Sequence, residues 1–340
     1  MRSGRFRLFL AAALLAGLFA WAVWPWLPRA GAARPPRAIV FYGFSILAEA
    51  MNDTIFPAFE KRWLESGGEP VTVAASFAGS GTVTNQIVLG VPAELALLSL
   101  ESDAERLADA GVIPQGSWKS LPHAGVVNRT PFVILVRPGN PKGIHDFEDL
   151  ARPGVKVVHA DPLTSGGASW AVLAEYGAGA RAGGREAGER LLFGIWKNVV
   201  AQASSARAAR TQFDNGFGDA LVTYEQEALG DRVRGRLTAE IVYPKSTVLS
   251  EHTLVVVERN VRPHDRAAVD ALARFLWSEE AQRLFVKRGF RSVDEAWNDN
   301  PAFGRIEDPF FASDFGGWRR AKKEIVDGIW KERVERRIHP

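Results

Sequence analysis

Two periods of hydrophobic spacing alternate along the chain. Short apolar runs rich in β-branched and aromatic residues stand at residues 38–42, 71–73, 95–100, 132–136, 155–159, at Ala220–Tyr224 and at residues 253–258, and each predicts a strand. Between them the apolar positions recur every three or four residues. Ile55, Phe56, Phe59 and Trp63 mark a helix over residues 46–64. Val269, Leu272, Phe275, Leu276 and Leu284 mark one long amphipathic helix over residues 267–289. Ser102 reads as the N-cap of a helix ending at Gly111, and Ser204-Ser205-Ala206 as the cap of another reaching Phe213. Shorter helical stretches fall at Phe147–Leu150 and residues 191–198, and a basic helix over residues 318–338 ends the pattern. Strand and helix alternating in this way predict an α/β architecture with parallel strands.

Within that alternation one plan occurs twice. The run from Val71 opens into Ser76-Phe77-Ala78-Gly79-Ser80-Gly81 and then a helical pattern; the run from Val155 opens into Thr164-Ser165-Gly166-Gly167 and then another. A helix start carries unpaired N–H groups and a partial positive charge, and so attracts anions. Glycine admits a ligand close to the backbone, and serine adds a hydroxyl donor without bulk. Two such turns, one in each half, suggest an anion held from two sides. From composition alone the same turns serve equally as tight turns and helix caps.

The 340 residues suffice for two domains with their own cores, and 46% hydrophobic with 24% charged residues suits a globular body. The net charge of +3 is a property of the first residues. Arg2, Arg5, Arg7 and Arg29 lie in a leader without acidic residues, and setting them aside leaves 38 basic against 39 acidic side chains. A polyanion-binding body is thereby excluded. In the leader, basic residues precede an apolar run over residues 8–24 and then Ala30-Gly31-Ala32, the order of an export signal with a cleavage site over residues 1–32. An uncleaved anchor over residues 8–27 is the alternative.

Catalytic motifs do not emerge. The six histidines have no metal-binding spacing, there is no cysteine, no GxSxG elbow and no phosphate loop with its lysine. Glu225 and Glu227, two residues apart, face different sides of a helix and read as solvated or helix-N-terminal rather than as an acid–base pair. No enzyme activity, cofactor or metal is expected.

Six blocks in one order resemble the periplasmic sulfate/thiosulfate-binding proteins that serve ABC importers. They are SFAGSG, VRPGNPKGIHDFEDLARPGVKVV, DPLTSGGASW, SSARAARTQF, FGDALVTYEQEA and FGGW. The resemblance implies a two-lobed type II periplasmic-binding fold, each lobe a β-sheet flanked by helices, closing on a desolvated tetrahedral oxyanion without a salt bridge. It implies a periplasmic monomer that delivers the anion to the transmembrane subunits of an ABC permease. The implied contacts are Ser80, Ser165, Gly166, Gly167 and the backbone N–H of Ala206. Gly43 stands where the family has Asp, Phe77 where it has His, and Tyr224 where sulfate binders have a Trp whose indole N–H reaches the anion. Sulfate, thiosulfate, a molybdate-like anion and phosphate stay open, as does an anchored sensor or scaffold on the same fold. The expected division is lobe one at residues 38–130 and 250–302, lobe two at 131–249, and a tail over 303–340 packing across both.

Overall fold

The computed structural model describes residues 14–19, 21–22 and 37–338. Residues 14–19 and 21–22 are helical; the remainder of the leader, and with it the signal, cleavage and anchor readings, lies outside the described residues. Among the described residues no helix is long and apolar enough to cross a membrane.

From Arg37 onward the chain forms one compact unit. Its strands are β1 (Arg37–Phe44), β2 (Val71–Ala78), β3 (Leu95–Leu98), β4 (Val126–Val136), β5 (Val157–Ala160), β6 (Val199–Ala203), β7 (Ala220–Tyr224), β8 (Glu240–Val242), β9 (Ser246–Val256), β10 (Arg291–Ser292) and β11 (Asp308–Phe310). They run in the order β2-β1-β3-β9-β4-β7-β5-β6. The parallel pairs predicted from the alternation are present in part, β1 with β2 and β3 and β5 with β6 and β7, but the sheet is mixed: β9 runs antiparallel to β3 and to β4, and β4 antiparallel to β7 and β8. Helices cover these strands on both faces, which is why β3 and the Phe132–Val136 end of β4 are buried at every residue rather than at alternate ones.

Two long strands join the halves. Residues Asn128–Pro131 of β4 pair with β9, whereas Phe132–Val136 pair with β7. The partner changes at Pro131, which lacks an N–H to give to a ladder. β9 in turn pairs with β3 through Thr253–Val256 and with β11 through Ser246–Val248. The fold is therefore α/β and two-lobed, with its lobes sharing β4 and β9.

Three local expectations are corrected. The stretch over residues 267–289 is two helices, Arg266–Phe275 and Glu279–Lys287. The Ser278 hydroxyl accepts from the Ala281 N–H at 3.3 Å, and Glu279 and Glu280 in the new first turn favour a restart there. Ser102 is not a cap: the helix Glu101–Asp109 starts one residue before it, with Leu100 at the N-cap position. Glu101 and Asp103 supply the negative charge that suits that helix start. Glu225 and Glu227 do open a helix, Glu225–Val233, but they are buried and not solvated. Glu225 is held by Arg291 and Tyr243, and Glu227 by Arg207.

The C-terminal helical stretch, from Trp318 to Ile338, buries Ile325, Val326, Ile329, Trp330 and Val334 on one face. Trp318 meets Trp170 edge-on with ring centroids 4.3 Å apart, and Trp330 meets Trp196 likewise at 5.0 Å. Arg319 reaches Glu105 and Asp109 on the helix that follows β3.

Candidate functional site

In an open parallel sheet the carboxyl ends of the strands face the crevice where ligands bind. Here three strands end in small-residue turns that begin helices. β2 leads through Gly79 into Ser80–Val88, β5 through Ser165 into Gly166–Gly183, and β6 through Ser205 into Ala206–Asp214. Ser165 Oγ accepts from the Ala168 N–H at 3.3 Å, and Ser205 Oγ accepts from the Ala208 N–H at 3.1 Å. As caps both hydroxyls act as acceptors, so each keeps its own hydrogen to donate elsewhere. The N–H groups of Ser80, Gly166, Gly167 and Ala206 have no protein acceptor among the described residues.

The two Ser/Gly turns meet. A Cβ at Gly79 would fall 2.5 Å from the Thr164 carbonyl oxygen and 2.7 Å from that of Ser204, so only glycine lets the first turn lie against the other two. A Cβ at Gly166 would fall 2.8 Å from Ser99 Oγ and 3.0 Å from Ser80 Cβ, and one at Gly167 would fall 2.8 Å from the Tyr224 ring. Ser80, Ser99, Gly166, Gly167 and Tyr224 thus form one cluster. Ser165 is the cap beside it. Ala206 opens the third helix, which packs against the Ser45–Leu47 turn following β1. Gly43 sits at the carboxyl end of β1, in register with Phe77 of β2 and Leu97 of β3. A Cβ there would stand 2.7 Å from the Phe77 ring, so the glycine and the phenylalanine occupy the space together.

Two side chains in this cluster do more than their positions in the sequence disclose. Ser80 Oγ donates to Asp103 Oδ2 at 2.5 Å and accepts from the Ser99 N–H at 3.0 Å. Its hydroxyl is fully engaged, and what Ser80 can offer a ligand is its backbone N–H. Tyr224 OH lies 2.8 Å from Ser99 Oγ. Burial pushes the Tyr224 phenol far above its ordinary pKa, so it keeps its hydrogen.

Ser99, Asp103 and Trp170, whose indole donates to the Ser99 carbonyl at 2.7 Å, are absent from the sequence-derived set. Only a serine ending the apolar run of β3 and an acidic residue one turn into the next helix could have drawn attention to the first two.

Charge is kept behind this neutral surface. Burial raises the Asp103 carboxyl above the usual aspartate range against the pull of Ser80 and Arg106. Burial likewise raises Glu227, against Arg207. Arg207, the second residue of the third helix, bridges Glu227 and Glu49, and Glu49 also meets Arg234 and Arg236. Burial opposes ionisation of Glu49, but these guanidiniums hold its carboxyl below the ordinary value. Among the described residues no group of His, Asp and Glu is arranged to hold a metal.

Helix starts from both halves of a two-lobed α/β fold, gathered at strand ends around buried neutral donors, define the class of type II periplasmic-binding proteins. The chain belongs to the bacterial extracellular solute-binding protein family, whose profile matches residues 39–291. It is 32% identical to the sulfate-binding protein of Synechococcus elongatus over 91% of this chain and 89% of that one. It is 31% identical to the thiosulfate-binding protein of Pseudomonas aeruginosa over 95% of this chain and 96% of that one. The solved sulfate-binding protein SubI of Mycobacterium tuberculosis superposes with a TM-score of 0.78 at 30% identity, covering 85% of this chain and 99% of that one.

Proposed function

We propose that this chain is an extracytoplasmic solute-binding protein that captures sulfate or a related tetrahedral oxyanion such as thiosulfate and delivers it to an ABC-type import permease. The observation that carries this reading is the convergence of unpaired helix-start N–H groups from Ser80, Gly166, Gly167 and Ala206 with the spare hydrogens of Ser165 and Ser205. A fully ionised oxyanion presents acceptors alone, and such a surface presents donors. Three helix starts add their partial positive charge without a fixed cation. The names of the relatives at 31–32% identity support the same anion class.

The contacts follow from this reading: Gly43, the backbone N–H groups of Ser80, Gly166, Gly167 and Ala206, the Ser165 hydroxyl, and the Tyr224 phenol. Lobe one comprises residues 38–130 and 250–302, and lobe two residues 131–249. The partner change of β4 at Pro131 supports that division, since a bend there rotates one strand set against the other. The tail over residues 303–340 braces both lobes, in keeping with Trp318 on Trp170 and Arg319 on Glu105. The protein binds its anion without transforming it and works as an exported monomer in the periplasm.

Thermal unfolding of the purified protein with sulfate, thiosulfate, molybdate and phosphate tests the reading. A ligand that binds only the folded state raises the melting temperature. The expected result is a rise with sulfate or thiosulfate at micromolar concentration. Unchanged melting with every tetrahedral anion would overturn it.

A further inference from the structure

Ser99 follows β3, and each of its polar groups is taken up by a neighbour at the site. Its N–H donates to Ser80 Oγ, its carbonyl accepts from the Trp170 indole, and its hydroxyl pairs with that of Tyr224. Both Ser99 and Tyr224 are wholly buried. The pair lies directly against the two glycines that open the Gly166–Gly183 helix, as the close approach of Ser99 Oγ to Gly166 and of Tyr224 OH to Gly167 requires.

Two hydroxyls carry two hydrogens, and the bond between them uses one. When Ser99 donates to the phenol oxygen, the Tyr224 hydrogen is free for an acceptor on the ligand. When Tyr224 donates to Ser99, the phenol oxygen turns a lone pair outward and can accept a hydrogen from the ligand. An indole or amide N–H has no such second state. Of the remaining contacts the backbone N–H groups can only donate, the Ser165 oxygen already accepts from the Ala168 N–H, and the Asp103 carboxyl is sealed behind the Ser80 hydroxyl.

We propose that Ser99 is a specificity-determining, positioning residue: by accepting the Tyr224 hydrogen it allows the phenol oxygen to receive a ligand proton. The site then takes tetrahedral oxyanions that carry a proton, of the hydrogen phosphate class, as well as fully ionised ones of the sulfate class. This rests on the oxyanion-binding reading above. Without the Ser99 hydroxyl, the Tyr224 hydrogen has the ligand as its acceptor in every state, and the pocket becomes donor-only. A protonated oxyanion then meets donor against donor, and a buried group left without its partner is costly.

Calorimetric titration of the full chain with sulfate and with inorganic phosphate at neutral pH tests this on the wild type, Ser99→Ala and Ser99→Thr, each melted first without ligand. The wild type should bind both anions with dissociation constants within about tenfold of each other. Ser99→Ala should raise the preference for sulfate by about tenfold or more through lost phosphate affinity, the range set by one unsatisfied buried hydrogen bond. Ser99→Thr, which keeps the hydroxyl, should restore the wild-type ratio, a result that a merely structural serine would not produce. A wild type that binds sulfate and rejects phosphate overturns the proposal, and so does a Ser99→Ala protein in which both affinities fall by the same factor. Binding of neither anion by the wild type refutes the oxyanion reading itself, and this proposal with it.

Discussion

The hydroxyl of Ser80 gives its hydrogen to the buried carboxyl of Asp103, 2.5 Å away. A residue placed by sequence in an anion-binding turn therefore spends its side chain on the protein itself. Its N–H, at the first position of the Ser80–Val88 helix, remains for a ligand.

Ser80→Ala should accordingly act on the fold more than on the anion. It removes the donor to a buried carboxyl and the acceptor for the Ser99 N–H, at a cost of about 1–3 kcal/mol in stability. Urea unfolding should record that loss, while the anion dissociation constant shifts by less than about tenfold because the backbone contact survives. A large loss of affinity with stability intact would count against this assignment.

Asp103 has a consequence for pH. Its folded pKa is raised by burial, so between the ordinary aspartate value and the raised one the native state holds more of this proton than the unfolded chain does. The Asp103 contribution to stability should therefore fall as pH rises through that window and be most favourable below it. Arg106 on the same helix and Lys322 on the C-terminal helix counter the rise. Across the acid range the unfolding free energy of the wild type should fall relative to that of Asp103→Asn as pH rises. Parallel curves would remove Asp103 as the source.

Ser165 differs from Ser80 because its hydroxyl only accepts within the protein. Ser165→Ala should cost about 1 kcal/mol of stability as a lost helix cap. It should weaken anion binding by a further 1–3 kcal/mol or so, as the loss of a donor to a buried charge does. Titration calorimetry beside chemical unfolding separates the two effects. A stability loss unaccompanied by weaker binding would make Ser165 a cap alone.

Gly166→Ala tests the close approach of the two turns. The added methyl would press on Ser99 Oγ and Ser80 Cβ at 2.8 and 3.0 Å. The variant should fold with normal circular dichroism and lose anion affinity by roughly a hundredfold, the scale of overpacking a tight contact. Wild-type affinity would mean that the turns need not touch for binding.

Glu49, in the helical stretch after β1, meets Arg207, Arg234 and Arg236, and Arg207 also holds the buried Glu227. Glu49→Gln should weaken that network and raise the anion dissociation rate by about fivefold, since the pairs are partly exposed and screened. Stopped-flow displacement at low and high salt should show the wild type approaching the variant as salt rises. A rate independent of both salt and substitution would exclude an ionic clasp.

Much of the fold was legible because it depends on local periodicity. The runs that became β1, β4 and β7 and the helix over residues 46–64 carry their pattern in adjacent residues. The break at Leu276–Ser278 was not legible, because the apolar spacing continues through it and a serine cap before two glutamates competes only weakly with that pattern. The Ser/Gly turns at Gly79 and Thr164–Gly167 were visible as helix starts. The third, at Ser204–Ala206, was visible as a cap.

By itself the sequence determined an α/β chain with neutral, serine- and glycine-rich helix starts. Backbone N–H groups exist at any helix start, and glycine and serine state where a ligand can approach them. Tertiary structure alone decided which hydroxyls keep a free hydrogen. Ser80 is committed to Asp103, and Tyr224 is paired with Ser99, partners 23 and 125 residues distant in the chain. A hydroxyl can donate or accept, and its direction is chosen by the neighbours that burial brings to it.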